Sequence, residues 1–267
     1  MKLVLWVCNQ SNQIALANKL HEKFELKGIV FESKKLKRRY SFIVTIDKII
    51  ERLLIPSISR AWFKLLNYYS LNYPKYPSVS FITVSNINMQ DTVDFTKKIN
   101  PDFVLVSGTS LIKSTILNKL SEFKILNLHT GLSPHIKGGP NCTNWCIALK
   151  QFHLIGNTIM WIDAGIDTGK IITSEFTALN GNEDFFTVHL KVMEHAHELY
   201  VNAVAALQKK HINGVFQNEI GSGKTFYNKD WTLKNKIKLV INFKFYYKRD
   251  FKRSDNLKNN IKTIDLP

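Results

Sequence analysis

The sequence predicts an α/β protein with a doubly wound, mostly parallel sheet and flanking helices. Residues 2–31 run in the order strand, loop, helix, strand, which is how such a sheet begins. Residues 103–106 are apolar throughout, as in a strand buried on both faces. Residues 124–128 form another short strand, followed by a loop rich in glycine and proline. Ligands of these sheets bind beyond the carboxyl ends of the strands.

The first half of the chain contains four predicted strands, at residues 2–8, 28–31, 79–84 and 103–106, and helices at 13–24, 91–99 and 111–120. The loop at residues 9–12 follows the first strand and is therefore expected at the ligand crevice. It holds no G-x-G-x-x-G, so a dinucleotide site is not expected. Helix N–H groups there suit a phosphate, and helix capping by Ser11 or Asn12 explains the loop equally well.

A helical insertion is expected at about residues 33–77, with helices near 43–54 and 58–69. It opens with the basic run S-K-K-L-K-R-R-Y, which fits a solvated charged face better than a phosphate or lipid site. Beyond it, strands are predicted at 156–162 and 170–176, and helices at 140–150 and from about 182 to 207. Residues 233–253, basic with interleaved aromatics, are read as a peripheral helix, a membrane-surface patch or a substrate-binding flank, followed by a loose tail.

The stretch from residue 125 to residue 172 contains the most informative pattern. It opens I-L-N-L-H-T-G-L-S-P-H-I-K-G-G-P-N and ends N-T-I-M-W-I-D-A-G-I-D-T-G-K-I-I. Asn127 and His129 are two residues apart at a strand end, so both side chains point to the same face. Gly165 and Gly169 frame a turn that carries Asp167. An amide, an imidazole and a carboxylate can therefore meet at one point.

These two segments, in this order and spacing, resemble the 10-formyltetrahydrofolate-dependent formyltransferases, most of all the sugar N-formyltransferases. The resemblance is strong from residue 102 to about 205, fainter before that and weak after Gly214. It implies the formyltransferase fold and, as cosubstrate, 10-formyltetrahydrofolate. Some relatives carry a second histidine where this chain has Met160, so no mechanism that needs that imidazole can apply here.

The resemblance also implies site residues. Asn127 and His129 would stabilise an oxyanion and Asp167 would orient the imidazole and collect a proton, with Asp163 as a less favoured rival for Asp167. The residues implied for folate binding are Gly108, Thr109, Ser110, Ile162, Asp163, Ala164 and Gly165. Those implied for the acceptor substrate are Asn9, Gln10, Ser11, Ser133 and Lys137. No metal site is predicted.

Composition sets broader bounds. The chain has 37 Lys plus Arg against 21 Asp plus Glu, which gives a net charge of +16. Such a charge attracts nucleic acid, anionic membranes and phosphorylated ligands alike, and a compositional bias explains it equally well. Three cysteines argue against a disulfide framework, and Cys142 and Cys146 are expected as packed thiols. No apolar run is long enough for a membrane span or signal peptide, so a cytoplasmic location is expected.

Two other features of the sequence are not expected to belong to a site. G-S-G-K-T at residues 221–225 lacks the first glycine of a phosphate-binding loop, because Asn218 stands there. His189 lies on the apolar stripe of a predicted helix and is expected in the core.

The acceptor that the resemblance favours is a nucleotide-linked amino sugar, formylated for a surface polysaccharide such as the O-antigen of lipopolysaccharide. Initiator tRNA is the alternative, favoured by charge but disfavoured because residues after 214 show no alternating strands for a β-barrel. A non-catalytic folate-binding module and glycinamide ribonucleotide are lesser alternatives. The chain is divided into a catalytic domain, 1–214, and a basic extension, 215–267. A homodimer and a peripheral membrane contact are left open as partners.

Overall fold

The computed structural model describes residues 1–33 and 55–267. The predicted helix at 43–54 and residues 34–40 of the basic run lie outside the described residues. The helix predicted near 58–69 is present and longer, at Pro56–Asn72.

Seven strands form the main sheet, and the predicted doubly wound fold is confirmed. Their order across the sheet is β3-β2-β1-β4-β5-β7-β8. The first five run parallel, whereas β7 is antiparallel to β5 and β8 is antiparallel to β7. Two further short strands, β6 and β9, pair with each other. The bounds are β1 Lys2–Cys8, β2 Glu25–Glu32, β3 Ser80–Val84, β4 Phe103–Ser107, β5 Lys124–His129, β6 Ile136–Gly138, β7 Gly156–Trp161, β8 Ile171–Phe176 and β9 Lys224–Phe226.

Helices cover both faces of the sheet. Their bounds are α1 Ser11–Lys23, α2 Pro56–Asn72, α3 Gln90–Ile99, α4 Ser114–Lys119, α5 Cys142–Ala148, α6 Phe185–Lys209, α7 Gln217–Ile220, α8 Leu233–Asn242 and α9 Lys248–Asp255. Within the described part of the chain, no helix combines the length and the apolar character needed to cross a bilayer.

Strand β1 shows why the sheet is covered on both faces. Its side chains alternate, so Leu3, Leu5 and Val7 pack in one cluster with α1 and α6. The intervening Val4 and Trp6 pack in another cluster with α3 and α4. All five side chains are fully buried. A strand that is apolar at consecutive positions can be accommodated only with a layer of helices on each side.

Helix α6 joins the centre of the sheet to the site. Asp184 caps it, its carboxylate accepting a 2.7 Å hydrogen bond from the Thr187 amide. The Tyr200 hydroxyl, fully buried, accepts from the Val106 amide at 2.9 Å and donates to the Leu126 carbonyl at 3.0 Å. This tyrosine therefore connects β4 to β5. His189 is buried on the same helix, as predicted.

Residues after Gly214 pack closely on the rest of the chain. Val215 pairs with Ile171 of β8, and Tyr247 and Phe251 are buried in a cluster with α5 and the start of α6. The loose tail predicted after residue 255 is wrong at Ile264, because its carbonyl accepts 2.9 Å from the Ser174 amide and 2.8 Å from the Thr173 hydroxyl. The division at residue 214 stays a prediction, and it separates residues that touch one another.

Candidate active site

The end of β5 and the loop between β7 and β8 bring the three predicted catalytic side chains together. The imidazole Nδ1 of His129 lies 3.3 Å from Oδ2 of Asp167. The Asn127 side-chain amide donates to Oδ1 of the same carboxylate at 3.2 Å. Asp167 is thus the centre of the cluster, with Asn127 on one oxygen and His129 on the other.

A backbone amide and a side-chain amide fix Asp167 from two further directions. The Gly138 amide of β6 donates to Oδ2 at 3.0 Å, and the Gln217 side chain donates to the Asp167 carbonyl at 2.8 Å. Asp167 itself has a positive φ of 50°, a conformation that asparagine and aspartate adopt more readily than other non-glycine residues. The carboxylate itself contacts the Asn127 amide, the His129 ring and the Gly138 amide. The Asp167 side chain remains 16% exposed.

Asp163, the rival carboxylate, has a local role. Its Oδ1 accepts from the Gly165 amide and from the Thr168 hydroxyl. Those contacts close the turn that presents Asp167. The geometry therefore favours Asp167 as the group that can act on a ligand.

The other side of the His129 ring faces the loop after β5. Its Nε2 lies 3.5 Å from the Cys142 thiol and 3.4 Å from the Ile136 carbonyl. Burial raises the pKa of the Cys142 thiol well above its usual range, with Cys146 and then Asp167 adding to the effect. Cys142 is therefore a neutral thiol beside the ring. A side chain at Gly131 would lie 2.4 Å from Nε2, so this position has to be glycine for the imidazole to fit.

A cavity of about 960 Å³ opens over this cluster. Its walls are formed by the carboxyl ends of β1, β2, β4 and β5, by the β7–β8 loop and by residues that follow β9. This is the edge at which ligands of a doubly wound sheet bind. A volume near the upper end of the range for small-molecule sites leaves room for a ligand larger than one sugar or one pterin.

Most of the predicted binding residues line the cavity. On the folate side these are Gly108, Thr109, Ser110, Ile162, Asp163 and Gly165, and on the acceptor side Asn9 and Gln10. Ala164 is exposed in the turn that Asp163 closes and does not line the cavity.

Three predicted substrate residues lie away from the cavity. The Ser11 hydroxyl donates to the Leu66 carbonyl of α2 at 2.6 Å. Ser133 is buried beneath the loop, where its amide donates to the Thr158 hydroxyl at 3.0 Å. Lys137 reaches the Gln217 side chain at 3.3 Å. Helix capping by Ser11 or Asn12 is also wrong, because α1 has Gln10 at its N-cap position and no side-chain cap.

Glu32 is a site residue that the sequence analysis missed. It ends β2, is 2% exposed and lines the cavity. Its two oxygens accept from the Ser110 amide at 2.6 Å and the Ile87 amide at 3.0 Å. Glu32 therefore fixes the loop that begins at Gly108. A carboxylate at the end of an apolar run, V-F-E, is the signal that could have found it.

Two buried amides also point to a ligand. Asn12 and Gln13 line the cavity, are 2% and 4% exposed, and each has a side-chain oxygen without a hydrogen-bond partner. Buried polar atoms are nearly always satisfied in native proteins. These two oxygens are acceptors that a bound donor can satisfy.

The last residue of β9 and the two residues after it complete the far wall. Phe226, Tyr227 and Asn228 line the cavity, and Phe226 stacks on Trp145 of α5 at 4.2 Å between ring centroids. The G-S-G-K-T segment leads directly into β9, and a side chain on its Gly223 would lie 2.3 Å from the His135 carbonyl oxygen. A phosphate-binding loop follows a strand and opens a helix, so this segment is not one.

Comparison with known proteins gives the family. The family described as formyl transferase matches residues 64–204, just over half of the chain. The chain belongs to the formyl transferase family. A methionyl-tRNA formyltransferase of Clostridium tetani is 30% identical over 131 residues, which are 49% of this chain and 39% of that protein. The chain thus spans about two fifths of the length of this relative.

Solved structures of the family share the fold. A sugar N-formyltransferase from Shewanella has a TM-score of 0.58 at 15% identity, over 91% of this chain and 88% of that one. A formyltransferase from Anoxybacillus kamchatkensis was solved with UDP-4,6-dideoxy-4-formamido-L-AltNAc and tetrahydrofolate. It has a TM-score of 0.50 at 16% identity, over 90% of this chain and 97% of that one.

Proposed function

We propose that this protein transfers the formyl group of 10-formyltetrahydrofolate to the amine of a nucleotide-linked amino sugar, for a surface polysaccharide. The observation that carries the proposal is the contact of Asn127 and His129 with the two oxygens of Asp167, at the wall of a cavity large enough for both substrates. Formyl transfer needs donors for an oxyanion and an acceptor for the proton of the amine, and this cluster contains both.

Asn127 and His129 would stabilise the formyl oxygen as it becomes negative. The Asn127 amide has two N–H groups, and only one of them is used on Asp167. The His129 ring, held beside the same carboxylate, would donate an N–H to the formyl oxygen. A preorganised donor of this kind is typically worth about 3 kcal/mol of transition-state stabilisation.

Asp167 would take the proton that the attacking amine loses, directly or through one water, and that proton would pass to the folate nitrogen as its bond to the formyl carbon breaks and tetrahydrofolate leaves. Its position suits that role because three donors fix the carboxylate while part of it stays open to the cavity. Met160, where some relatives carry a second histidine, is 1% exposed and packs with Ile171 and Ile220. The mechanism therefore uses no second imidazole.

The cavity has features that fit a reduced folate. Its loop at residues 108–110 offers backbone groups, Glu32 holds that loop in place, and Ile112 and Ile162 give apolar contact for a ring. Asn12 and Gln13 offer unpaired oxygens to a donor-rich ligand. The bound folate would supply the activated formyl group.

The choice of a nucleotide sugar rests on a likeness that runs along nearly the whole chain. The Shewanella sugar N-formyltransferase aligns with 91% of this chain and the nucleotide-sugar complex from Anoxybacillus with 90%. The methionyl-tRNA formyltransferases are matched by sequence instead of by fold, over about half of the chain.

Initiator methionyl-tRNA is the second candidate acceptor. It is supported by the 30% identity to the clostridial enzyme and by the net charge of +16, because phosphate contacts are made by lysine and arginine. Against it, the described residues after 214 form mainly helices, with one three-residue strand.

One experiment separates the two. Purified protein is incubated with 10-formyltetrahydrofolate and, in parallel, with a panel of dTDP- and UDP-linked amino sugars and with charged initiator tRNA. Mass spectrometry should detect a formylated sugar and no formyl-methionine. If only formyl-methionyl-tRNA appears, the sugar assignment is wrong. If neither appears while a known formyltransferase is active in the same mixture, the proposed activity is wrong.

A further inference from the structure

The outer side of the C-terminal helical segment carries an unusual combination of charge and apolar surface. Residues Leu233–Asp255 form α8, a single π-helical turn at Phe243–Tyr247 and α9. The exposed side chains of this segment, called here the basic face, are Lys234, Lys238, Ile241, Lys244, Phe245, Lys248, Arg249, Lys252 and Arg253. Seven of these nine are cations.

The packing of the segment fixes which residues face outward. Leu239, Tyr247 and Phe251 are buried against the body of the protein. A π-helical turn adds one residue to the usual turn, and here it keeps Tyr247 and Phe251 on the same side as Leu239. The Asn242 side chain secures the contact by donating to the Ala148 carbonyl at 2.9 Å. The basic face therefore lies opposite a well-anchored buried side.

Few acidic groups offset the charge of this segment. From residue 233 to residue 255 the sequence has eight Lys or Arg and two Asp. One of the two, Asp250, pairs with Arg249 at 2.6 Å. The other cations of the basic face point to solvent, so the face suits a partner that is itself densely anionic.

Two apolar side chains lie in the middle of these cations. Ile241 is 45% exposed and Phe245 is 59% exposed, one helical turn apart. Lys244 lies beside them, its Nζ 5.3 Å from the centre of the Phe245 ring. Lysine stems can lie along an apolar surface while their charges stay at the polar boundary. Apolar residues flanked by lysines on one helix face are typical of helices that lie in a bilayer interface.

We propose that the basic face docks on an anionic lipid bilayer, with Ile241 and Phe245 entering the headgroup region and the lysines contacting lipid phosphates. Each Lys or Arg near an anionic surface adds to the attraction. A second copy of this chain would bring like charges together if it used the same face. A nucleic acid would satisfy the cations, but it offers nothing apolar for Ile241. The proposal does not depend on the proposed formyl transfer.

Co-sedimentation with vesicles tests the proposal. The vesicles are phosphatidylcholine alone, or phosphatidylcholine with phosphatidylglycerol at about three to one, which models an anionic surface. The charge variant is Lys238→Glu/Lys248→Glu, and its control is Lys209→Glu/Lys210→Glu, exposed lysines elsewhere with the same change in net charge. The apolar variant is Phe245→Ser, and its control is Phe216→Ser, a similarly exposed phenylalanine outside the face. Circular dichroism verifies that every variant is folded.

The protein should sediment with anionic vesicles and stay in solution with neutral ones. Lys238→Glu/Lys248→Glu should lower partitioning by about tenfold or more, since four units of charge change at the contact. Phe245→Ser should lower it by several-fold, while both controls stay near the wild type. Absence of binding to anionic vesicles would overturn the proposal. Equal losses in a variant and in its control would also overturn it. So would binding of bulk tRNA that falls in the same variants, without any binding to vesicles.

Discussion

Gln217 holds Asp167 from behind, although fifty positions separate them along the chain. The Gln217 side-chain amide donates to the Asp167 carbonyl at 2.8 Å and to the Gly169 carbonyl at 2.9 Å. Together with the positive φ of Asp167, these contacts fix the turn that aims the carboxylate at Asn127 and His129. Gln217, at the start of α7, thus supports the candidate site without lining its cavity.

Gln217→Leu should therefore impair catalysis more than it impairs binding. The change leaves two carbonyls without a donor, which costs about 1–3 kcal/mol of stability in a buried site. We expect kcat to fall by about tenfold or more while KM for the donor changes little, because Asp167 loses its alignment. Steady-state kinetics and urea unfolding measure both effects. A variant with wild-type kcat would show that the turn needs no such support.

Glu32 should govern affinity for the folate donor. Glu32→Gln replaces one of the acceptors for the Ser110 and Ile87 amides by an N–H group, which repels the facing amide. The loop at 108–110 should loosen, and KM for 10-formyltetrahydrofolate should rise by about tenfold, with a smaller change in kcat. Glu25→Gln, at the exposed start of the same strand, is the control. An unchanged KM would remove Glu32 from the site.

Two buried histidines should make the fold sensitive to acid. Burial lowers the pKa of His189 to about 4 and that of His197 to about 3, where Lys19 adds a smaller effect. Both ring nitrogens of His197 lack a hydrogen-bond partner. The folded state therefore binds fewer protons than the unfolded state. The stabilisation is complete above the ordinary histidine pKa of about 6.5 and is lost as the pH falls towards the folded-state values.

His197→Leu should remove much of this loss. From pH 7 to pH 4.5 the free energy of unfolding of the wild type should fall by roughly 2–3 kcal/mol for each of the two histidines, besides any contribution from carboxyl groups. The His197→Leu variant should fall by that much less than the wild type, as measured by urea unfolding at each pH. His21→Leu, at an exposed position of α1, should behave as the wild type. Parallel losses in all three proteins would contradict the assignment.

The sequence predicted the sheet, and the common face of Asn127 and His129, because both depend on local patterns. Apolar runs gave the strands, and the two-residue spacing of Asn127 and His129 gave their common face. Their meeting with Asp167 rested on the family resemblance, since the distance between separate segments cannot be read from spacing. The burial of Ser133 could not be predicted for a related reason: Gly131 and Pro134 mark a loop but do not say which side chains that loop buries.

The supporting residues were missed because they act over long separations. Glu32 reaches Ser110, Gln217 reaches Asp167, and Ile264 pairs with Ser174. None of these residues has a periodic neighbour that marks it: an isolated glutamate or glutamine is common on any surface, and a single isoleucine makes no pattern. The tail after residue 255 was expected to be loose because its composition is polar. The backbone amide and carbonyl of Ile264 hydrogen-bond to Ser174, and its side chain packs on the core, so the tail is fixed there.

We propose that Asp167 collects the proton during formyl transfer, whereas Asp163 only shapes the turn. The most direct measurement is the rate of sugar formylation by Asp167→Asn and by Asp163→Asn, with folding verified by circular dichroism. The Asp163→Asn side chain would keep an oxygen for the Gly165 amide, so that variant should retain a rate within about tenfold of the wild type. Loss of a general base should lower the rate of Asp167→Asn by about a hundredfold or more. A folded Asp167→Asn protein that formylates its acceptor at the wild-type rate would contradict the account.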